Sequence, residues 1–423
     1  MSPWMRVCLA LAPLFLFAGC GGGGGGSSSS TPLAVTTASC SNNASVDSTL
    51  SGTTPVYNTA WDKGSPTYNQ LTTRKDASGN PVTVAFMLHP SVGPSKGLIV
   101  LFVGQQGNAQ LTTSGGGVMT GAGLAFESRS ANMFAAQGFD VATIDHPSDE
   151  TSTYTYNYQY DVYRTSMRAA VDISSVINAA DTTGLPVFLE GSSRGTISAT
   201  SNSMLSSGIA VASPVTSGNG DPIGGASSVA TVQAASIHVP MQVTWNTQDS
   251  CSVTVPANSQ TMAQDFLNAG VTITATAING GLGDYPGTGG CLASGYHQYF
   301  GIESCSVQQQ TDWATTVATG LSSGGNTRPT AAAISQSTTG GAVVTIDLSN
   351  PSYTSDTDGD TLSYAIPYST SSLGGTLSLS GSTITYTPPS ASSYTAGTDD
   401  TFVYVVSDGK GGTANNVVTV TLN

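Results

Sequence analysis

Charge is what this 423-residue chain has least of. Only 9% of its residues are charged, and 25 acidic residues outnumber 11 basic ones, for a formal net charge of −14. So acidic a surface argues against nucleic acid as a partner and against charge-driven binding to anionic membranes. Histidine is also scarce. There are four (His89, His146, His238 and His297), so chemistry that needs an imidazole has few places to occur. The six cysteines contain no C-x-x-C spacing, which speaks against a structural zinc site. The apolar run from Val7 to Phe17 is too short for a persuasive transmembrane span. What the chain has in quantity is glycine, at 50 residues, with loops dominated by Ser, Thr and Asn. Its length suffices for one sizeable core and a smaller second domain.

The most informative junction follows the apolar run Leu185-Pro-Val-Phe-Leu-Glu190. Gly191-Ser-Ser-Arg-Gly195 comes at once after it, and Thr196 to Leu205 can continue as a helix. A serine presented on a sharp strand-to-helix turn needs almost no side chain two positions before and after it, which explains both glycines. Ser193 is then the candidate nucleophile. The backbone N–H of Arg194 points toward the oxygen that becomes negative when an acyl carbonyl is attacked.

A serine hydroxyl needs a histidine to take its proton, and the histidine needs a carboxylate to hold it. The spelling resembles the nucleophile elbow of the α/β-hydrolases, in which acid and then histidine follow the serine. His89 and His146 precede Ser193. His238 sits at the start of the strand-like run Val239 to Trp245, which leaves His297, in Gly295-Tyr-His-Gln-Tyr-Phe-Gly301. The acid should lie just past a strand between Ser193 and His297. Asp249 fits, following Met241–Trp245 after Asn246-Thr-Gln248, and Asp221, in a glycine-rich loop, is the competitor.

The resemblance to a serine-esterase-like branch of the α/β-hydrolases runs from about Asn69 to Leu321. It implies a doubly wound, mostly parallel α/β sheet over 37–321. Gly97-Leu-Ile-Val-Leu-Phe-Val103 looks like the strand ahead of the oxyanion loop, Gly104-Gln-Gln-Gly107 like that loop, and Gly138 to Asp145 like the next strand. The resemblance further implies that one oxyanion donor is the N–H of Gln105 or Gln106 and the other that of Arg194. Many relatives carry adjacent glycines in that loop, where this chain has two glutamines.

At the N-terminus, Arg6 and the apolar run read as a signal peptide over 1–20. Phe17-Ala-Gly-Cys20 resembles a bacterial lipobox, with Cys20 lipidated; ordinary signal-peptidase cleavage is the alternative. Six glycines and four serines follow, in a stretch read as a flexible tether over 21–36. The expected location is the bacterial cell envelope, on a lipid anchor in the membrane, or outside the cell. Four cysteines remain for a disulfide-permitting compartment. Cys251 lies two residues beyond Asp249, and Cys291 six before His297, so Cys251–Cys291 would tie the acid loop to the histidine loop. Cys40–Cys305 completes the favoured pairing.

Beyond a linker at 322–329 the chain changes character. From 330 to 423 short alternating runs take over: Ala342–Leu348, Thr361–Tyr364, Thr383–Thr387, Thr401–Val406 and Val417–Leu422. Their spacing is that of an all-β sandwich. With Asn326-Thr-Arg-Pro329, Asp356-Thr-Asp-Gly-Asp-Thr-Leu362 and Val406-Ser-Asp-Gly409, the domain resembles bacterial cadherin-like or immunoglobulin-like modules. Asp356, Asp358 and Asp360, with Asp408, are candidate ligands for a structural calcium. A solvated acidic turn and a mere spacer module are the plain readings.

Tyrosines at every second position in Tyr154–Tyr160, with Tyr163 beyond, read either as an aromatic wall near the site or as a polar hairpin. The expected activity is hydrolysis of a small or polymeric carboxylic ester through an acyl-enzyme, with no cofactor for the chemistry. A serine peptidase or acyltransferase would use the same residues. The non-enzymatic alternative is a calcium-dependent surface-binding protein.

Overall fold

The computed structural model describes residues 31–43, 45, 47–51, 54–56, 66–105, 107–109, 111, 125–150, 158–217, 228–232, 234–283, 290–291 and 294–423. Met1–Thr31 and Pro32–Asn423 are separate units, and the second carries all the elements below. It starts with β1 (Val35–Ser39), a short hairpin of β2 (Thr49–Ser51) and β3 (Thr54–Val56), then β4 (Thr67–Lys75) and β5 (Pro81–His89). Strands and helices then alternate. The order is β6 (Leu98–Phe102), α1 (Phe126–Ala136), β7 (Asp140–Ile144), α2 (Tyr158–Arg164), α3 (Met167–Ala180), β8 (Val187–Ser193) and α4 (Gly195–Ser201). After these come β9 (Gly208–Pro214), β10 (Met241–Asn246), α5 (Pro256–Asn268), β11 (Ile273–Asn279) and α6 (Glu303–Ser322).

All but the β2–β3 hairpin share one sheet, ordered β1-β11-β10-β9-β8-β6-β7-β5-β4. Neighbours are parallel except at β7–β5 and β5–β4. This is the doubly wound, mostly parallel α/β sheet expected. Its five central strands, β6 to β10, are buried almost throughout, because helices cover both faces. Phe126, Phe134, Phe188 and Trp313 pack on the face covered by α1 and α6. Leu189, Ile197, Val211 and Phe266 belong to the core on the other face. β1 corrects the tether boundary, since its pairing with β11 begins at Val35, inside the stretch read as coil. The anchored strand continues into Cys40, which is disulfide-bonded to Cys305.

The C-terminal part is the expected sandwich. Its strands are β12 (Thr330–Ala331), β13 (Ile334–Thr338), β14 (Val344–Asp347), β15 (Thr354–Ser355), β16 (Ser363–Ala365), β17 (Thr376–Ser380), β18 (Thr383–Thr387), β19 (Thr398–Ser407) and β20 (Thr413–Leu422). One sheet runs β13-β20-β19-β16 and the other β14-β18-β17, with β12 and β15 paired beside them. Tyr386 and Phe402 stack between the sheets at 5.6 Å. The module is fused to the α/β part. Helix α3 packs against β19 and β20 as well as against the large sheet, and one continuous apolar cluster joins Val171 and Ile177 to Phe402 and Val418. Polar contacts finish the joint: Lys75 Nζ lies 2.7 Å from Asp399 Oδ2, and Arg328 pairs with Asp181. Tyr368 Oη donates to Ser201 O at 3.2 Å, and Asn415 Nδ2 to Leu205 O at 3.0 Å.

Candidate active site

Gln105, Ser193, Asp249 and His297 lie at or beyond the ends of strands β6, β8, β10 and β11, the edge at which open α/β sheets place their ligands. Ser193 closes β8 and takes a positive φ of 50°. For a non-glycine residue this left-handed conformation costs about 1–2 kcal/mol and persists only where the surroundings impose it. The close backbone packing around the two glycines imposes it. A Cβ on Gly191 would stand 2.3 Å from the Gly195 carbonyl, and one on Gly195 would stand 1.9 Å from Phe102 O. Strand, turn and helix can therefore meet only if both positions are bare. Helix α4 then leads away from Ser193, as expected.

Asp249 follows β10 and is joined to His297, which sits in a 3-10 turn (Tyr296–Gln298) after β11. His297 Nδ1 lies 3.1 Å from Asp249 Oδ2. Thr254, which the sequence reading did not single out, completes this pair. Its hydroxyl donates to Asp249 Oδ2 at 2.8 Å and lies 3.0 Å from His297 Nδ1. A threonine hydroxyl has one hydrogen, and this one is committed to the carboxylate. Nδ1 must then carry the imidazole proton, which leaves Nε2 as the basic nitrogen. Asp249 Oδ1 is held in turn by the N–H of Cys251 at 2.8 Å. The Cys251–Cys291 disulfide ties this loop to the segment before His297, and Cys40–Cys305 is formed as well.

The histidine turn is fastened to the serine turn one residue away from each. Gln298 Nε2 donates to Ser192 Oγ at 2.8 Å, and Gln298 Oε1 accepts from Phe126 N at 2.6 Å. Behind them Arg129 Nε meets Glu303 Oε1 at 2.6 Å, and Glu127 Oε1 accepts the N–H of Ser192 at 2.6 Å. The sequence flags none of these directly. Its one hint is scarcity: of so few basic residues, Arg74, Arg129, Arg164 and Arg194 are all buried, so cations here are structural parts.

Glu190, three residues before Ser193, is buried, and neither carboxyl oxygen has a partner among the described residues. Burial drives its pKa well above the ordinary range, with the nearby Glu127 adding to the rise. Burial also raises Glu127, against the opposing bonds from Ser192. The native state therefore binds more protons here than the unfolded chain does. This contribution is fully present below the unfolded glutamate pKa of about 4.3 and is lost as pH rises through the folded values. Glu190→Gln should leave the melting temperature nearly unchanged at pH 4 and raise it relative to wild type at pH 8. A difference independent of pH would mean that Glu190 titrates normally.

Gln105 adopts a φ of 47°, and Gly104 lies against the nucleophile: a Cβ there would come 3.1 Å from Ser193 Cβ and 3.5 Å from its Oγ. Gln106, Asp221, Cys20, Tyr154 and Tyr156 lie outside the described residues. His238 sits before β10, at the opposite end of the strand from Asp249, in a cleft shared with Tyr364 and Val405 of the sandwich. The aromatic wall is not found at Tyr160 and Tyr163. Both are buried in α2, with ring centroids 5.0 Å apart and Tyr160 over the Arg164 guanidinium at 4.7 Å. Alternation suggested a loop or hairpin, but the 160/163 spacing is that of a helix face turned to the core.

In the sandwich, Asp356, Asp360 and Asp408 bring carboxylate oxygens within 4.8 Å of one another. Asp358 does not join them. It turns outward and accepts from the N–H and hydroxyl of Thr327 at 2.6 and 2.8 Å. Asp356 Oδ2, Asp360 Oδ2 and Asn326 Oδ1 are buried without partners among the described residues, while Lys410 Nζ lies 2.5 Å from Asp360 Oδ1. An all-oxygen set with orphaned acceptors fits a hard cation such as calcium.

Residues 326–421 match the bacterial Ig domain family. No curated protein matches the chain. Among solved structures it is similar to brefeldin A esterase, described as a bacterial homologue of human hormone sensitive lipase, at 15% identity. That match covers 61% of this chain and 78% of that one, with a TM-score of 0.41. It is also similar to an esterase of Pyrobaculum calidifontis at 13% identity, over 61% and 87% of the two chains, with a TM-score of 0.41. A carboxylesterase of Lactobacillus plantarum is 13% identical over 59% and 97%, with a TM-score of 0.40.

Proposed function

We propose that this protein is an exported serine hydrolase that cleaves carboxylic esters through an acyl-enzyme. The observation that carries the reading is the Asp249–Thr254–His297 network fastened beside a strained serine elbow. Ser193 Oγ attacks the ester carbonyl and passes its proton to His297 Nε2. Asp249 holds the ring and stabilises the imidazolium. The N–H groups of Gln105 and Arg194 receive the oxyanion. Collapse expels the alcohol, which takes the proton from His297, and a water molecule repeats the sequence on the acyl-enzyme. No step calls for a cofactor. Lipid on Cys20 would hold the enzyme at the cell envelope, with 21–34 as the tether.

The test is turnover of p-nitrophenyl acetate and butyrate by the chain from Pro32 onward, beside Ser193→Ala, with a fluorophosphonate probe to mark the serine. Ser193-dependent turnover and labelling are expected. A folded protein that does neither is not a serine hydrolase, and the surface-binding reading would take its place.

In the sandwich we propose that Asp356, Asp360, Asp408 and Asn326 hold a structural calcium, which displaces Lys410 from Asp360. Calcium at a hundred times its dissociation constant should then stabilise the protein by about 2.7 kcal/mol. Thermal melts with calcium and with chelator check this, and Asp360→Asn should abolish the difference. Equal melts in wild type would leave a solvated acidic turn.

A further inference from the structure

Three consecutive backbone carbonyls of the loop after β6 converge on one guanidinium. Arg164 Nη2 lies 3.2 Å from Val103 O, 3.4 Å from Gly104 O and 3.0 Å from Gln105 O. Its Nη1 donates to Ser198 Oγ at 2.6 Å, on the helix that starts from the nucleophile turn. Asp161, one turn earlier on α2, lies 3.4 Å from Arg164 Nε and also pairs with the side chain of Arg194. Tyr160 stacks on the guanidinium and fills the space that a side chain at Gly107 would need. One short helix thus grips both segments that flank Ser193.

The direction of the grip matters. A trans peptide holds its C=O and N–H on opposite sides. The Gly104 carbonyl accepts the Gly107 N–H at 2.9 Å within the turn and faces the Arg164 guanidinium at 3.4 Å, so the N–H of Gln105 points the other way. Gly104 is also the residue whose bare α-carbon stands against Ser193 Cβ and Oγ. The left-handed φ of Gln105 is a conformation that a glutamine keeps only under constraint, and the guanidinium supplies one.

We propose that Arg164 is a positioning residue for ester hydrolysis: by holding the carbonyls of Val103, Gly104 and Gln105 it aims the Gln105 N–H at the oxyanion formed on Ser193. This rests on the hydrolase reading above. It also accounts for a loop that carries glutamines where a pair of glycines would bend unaided.

The test compares wild type, Arg164→Gln and Arg164→Lys in p-nitrophenyl acetate hydrolysis, in binding of a trifluoromethyl ketone, and in hydrogen exchange of the peptide spanning Val103 and Gln105. Losing a donor's placement should lower kcat about 100-fold in Arg164→Gln, with KM within about 3-fold. Ketone affinity should fall by the same factor as kcat, and exchange of the loop peptide should quicken. Arg164→Lys keeps the charge but not the planar fork, and should lower kcat by about 10-fold, between Arg164→Gln and wild type. If Arg164→Gln does not fold, Arg164→Lys still decides: wild-type kcat with unchanged exchange overturns the proposal. A KM-only effect, or unchanged ketone affinity beside a low kcat, overturns it too. Wild type without Ser193-dependent turnover sinks the hydrolase reading instead, and the exchange arm still shows whether Arg164 holds the loop.

Discussion

Asp249→Asn should lower kcat on p-nitrophenyl acetate by about 10⁴-fold at neutral pH while leaving the protein folded. The size of the loss follows from which atom the amide nitrogen must replace. Oδ1 of residue 249 accepts the N–H of Cys251, so an asparagine keeps its carbonyl oxygen there. Its NH₂ then takes the place of Oδ2, facing His297 Nδ1 and the Thr254 hydroxyl. Two donors cannot face each other, so Nδ1 gives up its proton and the hydrogen moves to Nε2. The histidine is then present, in place, and unable to accept from Ser193. Circular dichroism and kinetics together check this. A rate within tenfold of wild type would mean that another carboxylate orients the ring, with Asp221 the competing candidate.

Among the described glycines, Gly195→Ala should be the most damaging. Its carbon would stand 1.9 Å from Phe102 O, 2.9 Å from Phe102 C and 3.3 Å from Val103 C, all backbone of a central strand and its exit. Overpacking usually costs about 1–3 kcal/mol, relieved by shifts of side chains. Backbone inside a sheet cannot shift alone, so a cost above about 3 kcal/mol is expected. It should appear as loss of soluble protein or a large fall in melting temperature. Gly320→Ala is the internal comparison. It sits exposed in α6 with nothing within 4 Å of the added carbon, and should stabilise by about 0.5–1 kcal/mol. Equal effects at the two positions would mean that the elbow is looser than its geometry shows.

The parts of the site legible in the sequence were those written in short-range spelling. Strand, G-x-S-x-G and helix occupy one continuous stretch, and an acid just beyond a strand is a local pattern, so Ser193 and Asp249 stood out. His297 stood out because histidine is rare. Thr254 and Arg164 did not, since nothing nearby in sequence marks a threonine as a carboxylate's partner. Nor does it mark an arginine as the anchor of a loop some sixty residues earlier. Only the sheet order brings them there. The first strand was hidden for a different reason: at the sheet's edge only Val35 and Ala38 are drawn inward, and the stretch reads as more Ser/Thr coil. The acidic turn shows the limit of spacing. Alternate aspartates looked equivalent, and the turn sends Asp358 outward to Thr327 while its neighbours converge.

Helix α3 has almost no face left for water, being covered by the large sheet on one side and by β19 and β20 on the other. An element owned by two domains cannot let either one melt alone. Calorimetry should therefore show a single heat-absorption peak for residues 32–423, with ester turnover and the near-ultraviolet signal of the sandwich tyrosines lost at one shared midpoint. Two resolved peaks would mean that the sandwich is a passenger. One peak makes it part of the enzyme's own cooperative unit.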